Sequence, residues 1–244
     1  MAKAPAAEQL RLLELQALDG QLKSLAGQAR QLKEDPKLAA LTAEAAAAEA
    51  DADRLSLERS DAQSAVKRSE EDVERVVSRI ERDETRLNAG GLSKDLMALQ
   101  TDLEALARRR AELEDIELAL MESLEEVTER HEKQQSVADQ RRQERDALRT
   151  ELGARLREVT QQQEATATQR QELAASFAPE LLSVYVKTLE RRGIGAARLF
   201  HGLSEGSGMR LSPGDLAEIG KAAEDDIVFC PDSGCILVRS SEWG

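Results

Sequence analysis

Two cysteines, Cys230 and Cys235, stand in an otherwise cysteine-free chain and are separated only by Pro231-Asp232-Ser233-Gly234. Three kinds of chemistry are open to that pair. With His201 and a carboxylate such as Asp232 it could hold a metal ion, although the spacing is not that of a usual zinc knuckle. Across so tight a turn it could close a disulfide, which a reducing compartment opposes. Or the thiols could serve as small buried core residues. The other residues able to do chemistry are sparse. The two histidines, His131 and His201, sit in no base or nucleophile motif. Gly90-Gly91 lacks the lysine and serine of a phosphate loop, and Gly193-Ile194-Gly195 lacks a dinucleotide-binding context. Glu224-Asp225-Asp226 reads as a loop cap ahead of a strand. No enzyme is expected.

The elements that must position the cysteines are mostly helical. Aromatics make up 2% of the 244 residues, and the chain is rich in Ala, Leu, Glu, Gln and Arg, the composition of long helices and coiled coils. Leu15, Leu18, Leu22, Leu25, Ala29 and Leu32 step alternately by three and four, as a coiled-coil seam does. Asp35-Pro36 predicts a break, because proline cannot donate to the helix ladder and clashes with the preceding turn. Leu38, Leu41, Ala45, Ala48, Ala52 and Leu55 resume the stepping, with alanines that let helix axes approach closely. Val66, Val73, Val76, Ile80 and Leu87 carry it to Asn88-Ala89-Gly90-Gly91, which predicts a turn near 88–92. Ser93 is expected to cap a second helix, with Leu92, Leu96, Leu99, Leu103 and Leu106 on its apolar face and a weaker pattern from His131 to Arg149. The arms 5–87 and 93–175 are nearly equal, which is the layout of an antiparallel hairpin with each arm roughly 120 Å long.

From residue 176 the texture changes. Pro179 and Gly193 bracket a short amphipathic helix. Beyond it, 197–200, 227–229 and 236–238 read as strands of a module too small to be held by its core alone. Phe200, Leu211, Ile219, Phe229, Ile236 and Val238 are the expected packing residues, with Cys230 buried among them. The fold class is therefore mainly α, a long antiparallel coiled-coil hairpin (1–175) followed by a small β module (176–244).

Four separated motifs, SKDLMALQ (93–100), RRRAELEDIELALMESLE (108–125), PELLSVY (179–185) and the ending CPDSGCILVR, resemble the bacterial C4-type zinc-ribbon proteins with an N-terminal coiled-coil hairpin, and most closely their actinobacterial branch. The resemblance covers essentially the whole chain. It implies two Cys-x-x-Cys knuckles around zinc, yet the first knuckle position reads Ser204-Glu205-Gly206-Ser207 and the second Cys230-Pro231-Asp232-Ser233. One ligand of four survives at Ser204, Ser207, Cys230 and Ser233, and a serine hydroxyl does not replace a thiolate on zinc. No zinc or other cofactor is expected.

The resemblance implies an adaptor or scaffold for protein partners; binding is expected at apolar positions left uncovered on the hairpin or at its tip around Leu87, Leu92 and Leu96, the candidate interaction surface. The alternative is a nucleic-acid-binding or transcription-associated role. Against it, the formal charge is −13 and the Arg108-Arg109-Arg110 and Arg141 to Arg149 clusters are interleaved with acids. A heptad seam is equally compatible with a homodimer. The N-terminus lacks an apolar signal core and no run approaches the roughly 20 apolar residues of a membrane span, so a cytoplasmic location is expected.

Overall fold

The computed structural model describes residues 3–240 and Trp243. Its elements are α1 (Ala6–Lys33), α2 (Pro36–Asn88), α3 (Ser93–Ala175), α4 (Pro179–Arg192), β1 (Ala196–Phe200), β2 (Leu203–Ser204), β3 (Met209–Arg210), α5 (Pro213–Lys221), β4 (Val228–Phe229) and β5 (Ile236–Arg239). The break before Pro36 and the turn after Asn88 fall where the sequence places them. The helix start is shifted by one residue: the Leu92 carbonyl accepts the first helical bond, from Leu96 N, so Leu92 rather than Ser93 occupies the cap position.

By packing, the chain divides into residues 36–150 and a second unit made of residues 1–35 and 151–244. Composition changes at 175/176, whereas packing assigns α1 and the end of α3 to the unit that holds the sheet. In the 36–150 unit, α2 and α3 run antiparallel, and the alanines of the α2 seam decide what α3 can put opposite them. Ala48, Ala52 and Ala138 form a small buried cluster. The thin seam brings Gln134 near enough to donate to the Ala48 carbonyl at 3.3 Å, while Arg142 pairs with Glu49 at 2.9 Å and Arg141 with Glu44 at 3.5 Å. The three-four stepping therefore does not fade between His131 and Arg149. It continues through His131, Gln134, Ala138, Arg141, Arg145 and Leu148, each buried or half-buried, with long polar side chains laying their stems along the seam.

In the other unit the sheet has the order β3-β2-β1-β5-β4, with β1 and β5 parallel and the remaining neighbours antiparallel. Its two faces carry two cores. Ala196, Ile236 and Val238 face Leu12 and Leu15 of α1 and Leu181 and Tyr185 of α4. Ala197, Leu199, Leu237, Cys230 and Cys235 face Leu211 and Ile219, with Trp243 packed against them. Of the expected packing residues, Leu211, Ile219, Ile236 and Val238 are buried, but they divide between the faces. Phe200 is only half-buried and Phe229 is 47% exposed. Phe229 lies on β4, the edge strand of the sheet among the described residues.

α1 is a structural member of this unit. The Gln16 side-chain carbonyl accepts from Gly195 N at 2.7 Å, Ala196 N at 3.2 Å and the Tyr185 hydroxyl at 3.3 Å. Tyr185 also donates to Asp19 at 2.8 Å, and Asp19 is paired with Arg170 at 3.0 Å. Burial, and then the Asp19 carboxylate, push the Tyr185 phenol far above its usual pKa, so it remains a donor at every working pH. On the other side of the sheet, the Arg239 guanidinium donates to the carbonyls of Ile219, Ala222, Ala223, Glu224 and Asp226, gathering the segment between α5 and β4 around one cation. Arg239→Ala removes a charged donor from all five at once. It should cost this unit about 2 kcal/mol, read as an earlier thermal transition in Trp243 fluorescence. A transition unmoved by the change would mean that water replaces the guanidinium without loss.

Candidate functional site

The four knuckle positions arrive from two turns. Ser204 ends β2, Ser207 lies in the β2–β3 turn, Cys230 follows β4, and Ser233 lies in the turn before β5. They converge around the Cys230 sulfur. Ser207 Oγ is 4.0 Å from Cys230 Sγ. Ser204 Oγ is fully buried and has no partner in ordinary hydrogen-bond geometry, yet it lies close enough to favour the thiolate. Burial pushes the Cys230 thiol up. The Ser204 and Ser233 hydroxyls and the backbone amides of Ser233 and Asp232 outweigh that, leaving its pKa below the usual thiol value.

Cys235 faces Cys230 across the turn. Cys230 N donates to the Cys235 carbonyl at 2.8 Å, and the Ser233 hydroxyl donates to Cys235 Sγ at 3.1 Å. Burial raises the Cys235 thiol, and the neighbouring Cys230 raises it further. Both cysteines are free thiols, 2% and 0% exposed. Gly206 closes the cluster: a Cβ there would come within 2.6 Å of Cys235 Sγ and 2.9 Å of the Ala197 side chain. Only glycine lets the first knuckle turn lie flat on the second.

One thiol and three hydroxyls do not fit zinc. Hydroxyls are hard, weakly acidic donors, and the ion's structural sites are built from thiolates and imidazoles. The other ligand set, Cys230, Cys235, His201 and Asp232, is not assembled. His201 is an exposed turn residue with φ 47°, its ring 4.1 Å from that of Phe200, and Asp232 is exposed in its own turn. Among the described residues no three His, Cys, Asp or Glu side chains are grouped to hold a metal.

The hairpin tip is a second candidate. Leu87 and Leu96 are half-buried and Leu92 is 76% exposed. Met97, near the start of α3, is 67% exposed and was not signalled by the sequence. Gly90, at φ 79°, supplies the left-handed residue that reverses the chain. Farther along α3, Ile116, Leu118 and Met121 are also about half exposed.

The chain matches the model of a CT398-like coiled coil hairpin domain over residues 15–193 and that of a C4-type zinc ribbon domain over residues 204–237. The second match begins on Ser204 and spans all four knuckle positions. An uncharacterized protein of Mycobacterium tuberculosis, found in two strains, is 33% identical over 238 residues, 97% of each chain. A Mycobacterium smegmatis protein of solved structure superposes with a TM-score of 0.84 at 29% identity, covering 97% of this chain and 100% of that one. CT398 from Chlamydia trachomatis has the same fold, with a TM-score of 0.66 at 19% identity over 96% of this chain and 99% of its own.

Proposed function

Because this chain belongs to the family of CT398-like coiled coil hairpin proteins, with a C4-type zinc ribbon module, we propose that it is a non-enzymatic adaptor whose hairpin tip docks protein partners. The observation that carries this is the exposure of Leu92 and Met97, large apolar side chains 76% and 67% exposed at the turn and near the start of α3. Large apolar side chains exposed on a rigid helical support can serve as anchors of a docking surface. Supporting it, His131 lies on α3 beside Arg59 and His201 sits in a turn of the sheet, so neither histidine joins a constellation that could do acid–base work.

The module is proposed to work without zinc, its staple replaced by the serine–cysteine cluster, the Gln16 and Tyr185 bonds to α1, and Arg239. No described helix is long and apolar enough to cross a membrane. Nucleic acid is disfavoured by charge, since from Ser176 onward seven Lys and Arg face ten Asp and Glu.

Affinity capture of the tagged protein from its own cells after mild crosslinking, with and without nuclease, tests the proposal. A discrete protein set that survives nuclease should be lost when Leu92 and Met97 are both changed to Asp, with helical content unchanged. Capture indifferent to those substitutions would refute the tip as the docking surface, and a set that vanishes with nuclease would replace the adaptor with a nucleic-acid-binding protein. Light scattering on the same preparation separates a monomeric hairpin from a homodimer.

A further inference from the structure

We infer that the groove between α4 and the edge strand β4 is a second docking site, one that takes an extended acidic peptide from a protein partner by strand addition. The inference rests on the adaptor reading and names the chemistry of a partner.

The groove is lined by Val184, Lys187, Arg191 and Arg192 of α4 and by Phe229 and Gly234 of the β4–β5 hairpin. Positions 184, 187 and 191 share one helix face, and Arg192 reaches the same groove, so three cations lie on one wall. Elsewhere in this acidic chain most described arginines pair with a carboxylate, yet among the described residues Lys187, Arg191 and Arg192 form no ion pair. Glu190 lies off that face. The negative end of α4 accounts for cations in its last turn, but not for Lys187 one turn earlier, nor for the Arg192 guanidinium lying across the hairpin. That group is so close over Gly234 that a Cβ there would come within 2.8 Å of its Nε.

The floor of the groove offers backbone as well as charge. Cys230 N is directed inward, to the Cys235 carbonyl, and Phe229 pairs with Ile236. By the alternation of an antiparallel ladder, the Phe229 N–H and carbonyl face the open edge. Among the described residues no strand pairs with β4 on that side; Lys3 bridges Asp226 just ahead of it, so the free stretch of edge is at Phe229, whose half-exposed ring provides an apolar contact. An added strand would place alternate side chains on the two sheet faces. On the α4 face they would meet Lys187, Arg191 and Arg192. On the other face the lining includes Asp215 and Glu218 together with Ile219, Val228 and Pro231, which repels acids there and accepts apolar groups. The peptide that fits is acidic at every second residue and apolar between. A nucleic acid backbone, charged along its whole length, would meet Asp215 and Glu218 and the −13 chain beyond them.

The test is fluorescence anisotropy of a labelled peptide of about twelve residues alternating Glu with Leu and Val, titrated with the full chain at low salt, beside its Lys-for-Glu counterpart and an oligothymidylate of similar charge. The acidic peptide should bind, and the lysine peptide should not. K187E/R191E/R192E should weaken binding about tenfold or more, three exposed charge pairs acting together. Phe229→Ser should weaken it without changing the charge. Trp243 fluorescence verifies that each variant keeps its fold.

Binding unchanged in the triple variant, tighter binding of oligothymidylate, or no binding of the acidic peptide would overturn the inference. So would a low-salt dimer of the chain that the triple variant abolishes, since the occupant would then be a second copy. If cellular capture succeeds while the peptide fails, the groove alone is wrong. If capture fails while the peptide binds the natural chain and not the triple variant, the groove stands and the tip does not.

Discussion

Tyr185→Ala should destabilise the unit of residues 1–35 and 151–244 by about 3–5 kcal/mol, the usual cost of removing a buried aromatic side chain. Tyr185 is fully buried and belongs to the core between α1, α4 and the sheet. Gly195 is notched around it, because a Cβ there would fall 2.4 Å from the ring. The Tyr185 hydroxyl is the link between Gln16 on α1 and the Asp19–Arg170 pair. Tyr185→Phe keeps the ring and loses only the hydroxyl, so about 1.5–3 kcal/mol is expected, the worth of a hydrogen bond to a charged acceptor. Urea unfolding followed by Trp243 fluorescence separates the two, since Trp243 packs on the opposite face and reports the unit rather than the substitution. Equal midpoints for the two variants would mean that the hydroxyl, not the ring, holds α1 to the sheet. A natural midpoint in both would mean that α1 is dispensable to the module.

That arrangement explains how much of the fold could be read in advance. The long helices and both breaks were legible because seam periodicity, Pro36 and the Asn88–Gly91 cluster are local signals. The α3 seam between His131 and Arg149 was not, because Gln134 and Arg141 lie inward only where Ala48 and Ala52 on the other arm make room, and one helix's sequence does not display its partner. β2 and β3, two residues each, carry no alternation to detect. α5 was announced and overlooked: Ser212 caps Asp215 N at 3.1 Å with Pro213 at the first helical position, which is a start signal in any sequence. The knuckle positions of the site could be located only through family resemblance, since three of them are serines that no metal pattern would select.

The resemblance sets up a reversal experiment. S204C/S207C/S233C should convert the module into a zinc protein with one ion per chain. Ligand sulfurs on zinc, with bonds near 2.3 Å, sit about 3.8 Å apart in a regular tetrahedron. Ser207 Oγ already lies 4.0 Å from Cys230 Sγ, and the hydroxyls of Ser204 and Ser233 both favour the same thiolate. Restoring the thiols therefore asks for little movement. Structural zinc contributes on the order of 10 kcal/mol in small ribbons and fingers, so the variant should melt well above the natural chain and lose that gain to a chelator. Cys235 is the competitor, its sulfur 3.1 Å from Ser233 Oγ and thus within reach of a new thiol at 233. The preparation must stay reduced, and adding Cys235→Ala should leave zinc binding by the triple variant intact. The natural chain, after dialysis, should hold no stoichiometric metal, and Cys230→Ser should not change its response to chelator. If instead the natural protein retains one zinc that Cys230→Ser removes, then hydroxyls or groups beyond this cluster complete the site, and the module has kept the metal it is proposed to have lost. If the triple variant binds none, the four positions share a neighbourhood without sharing a tetrahedron.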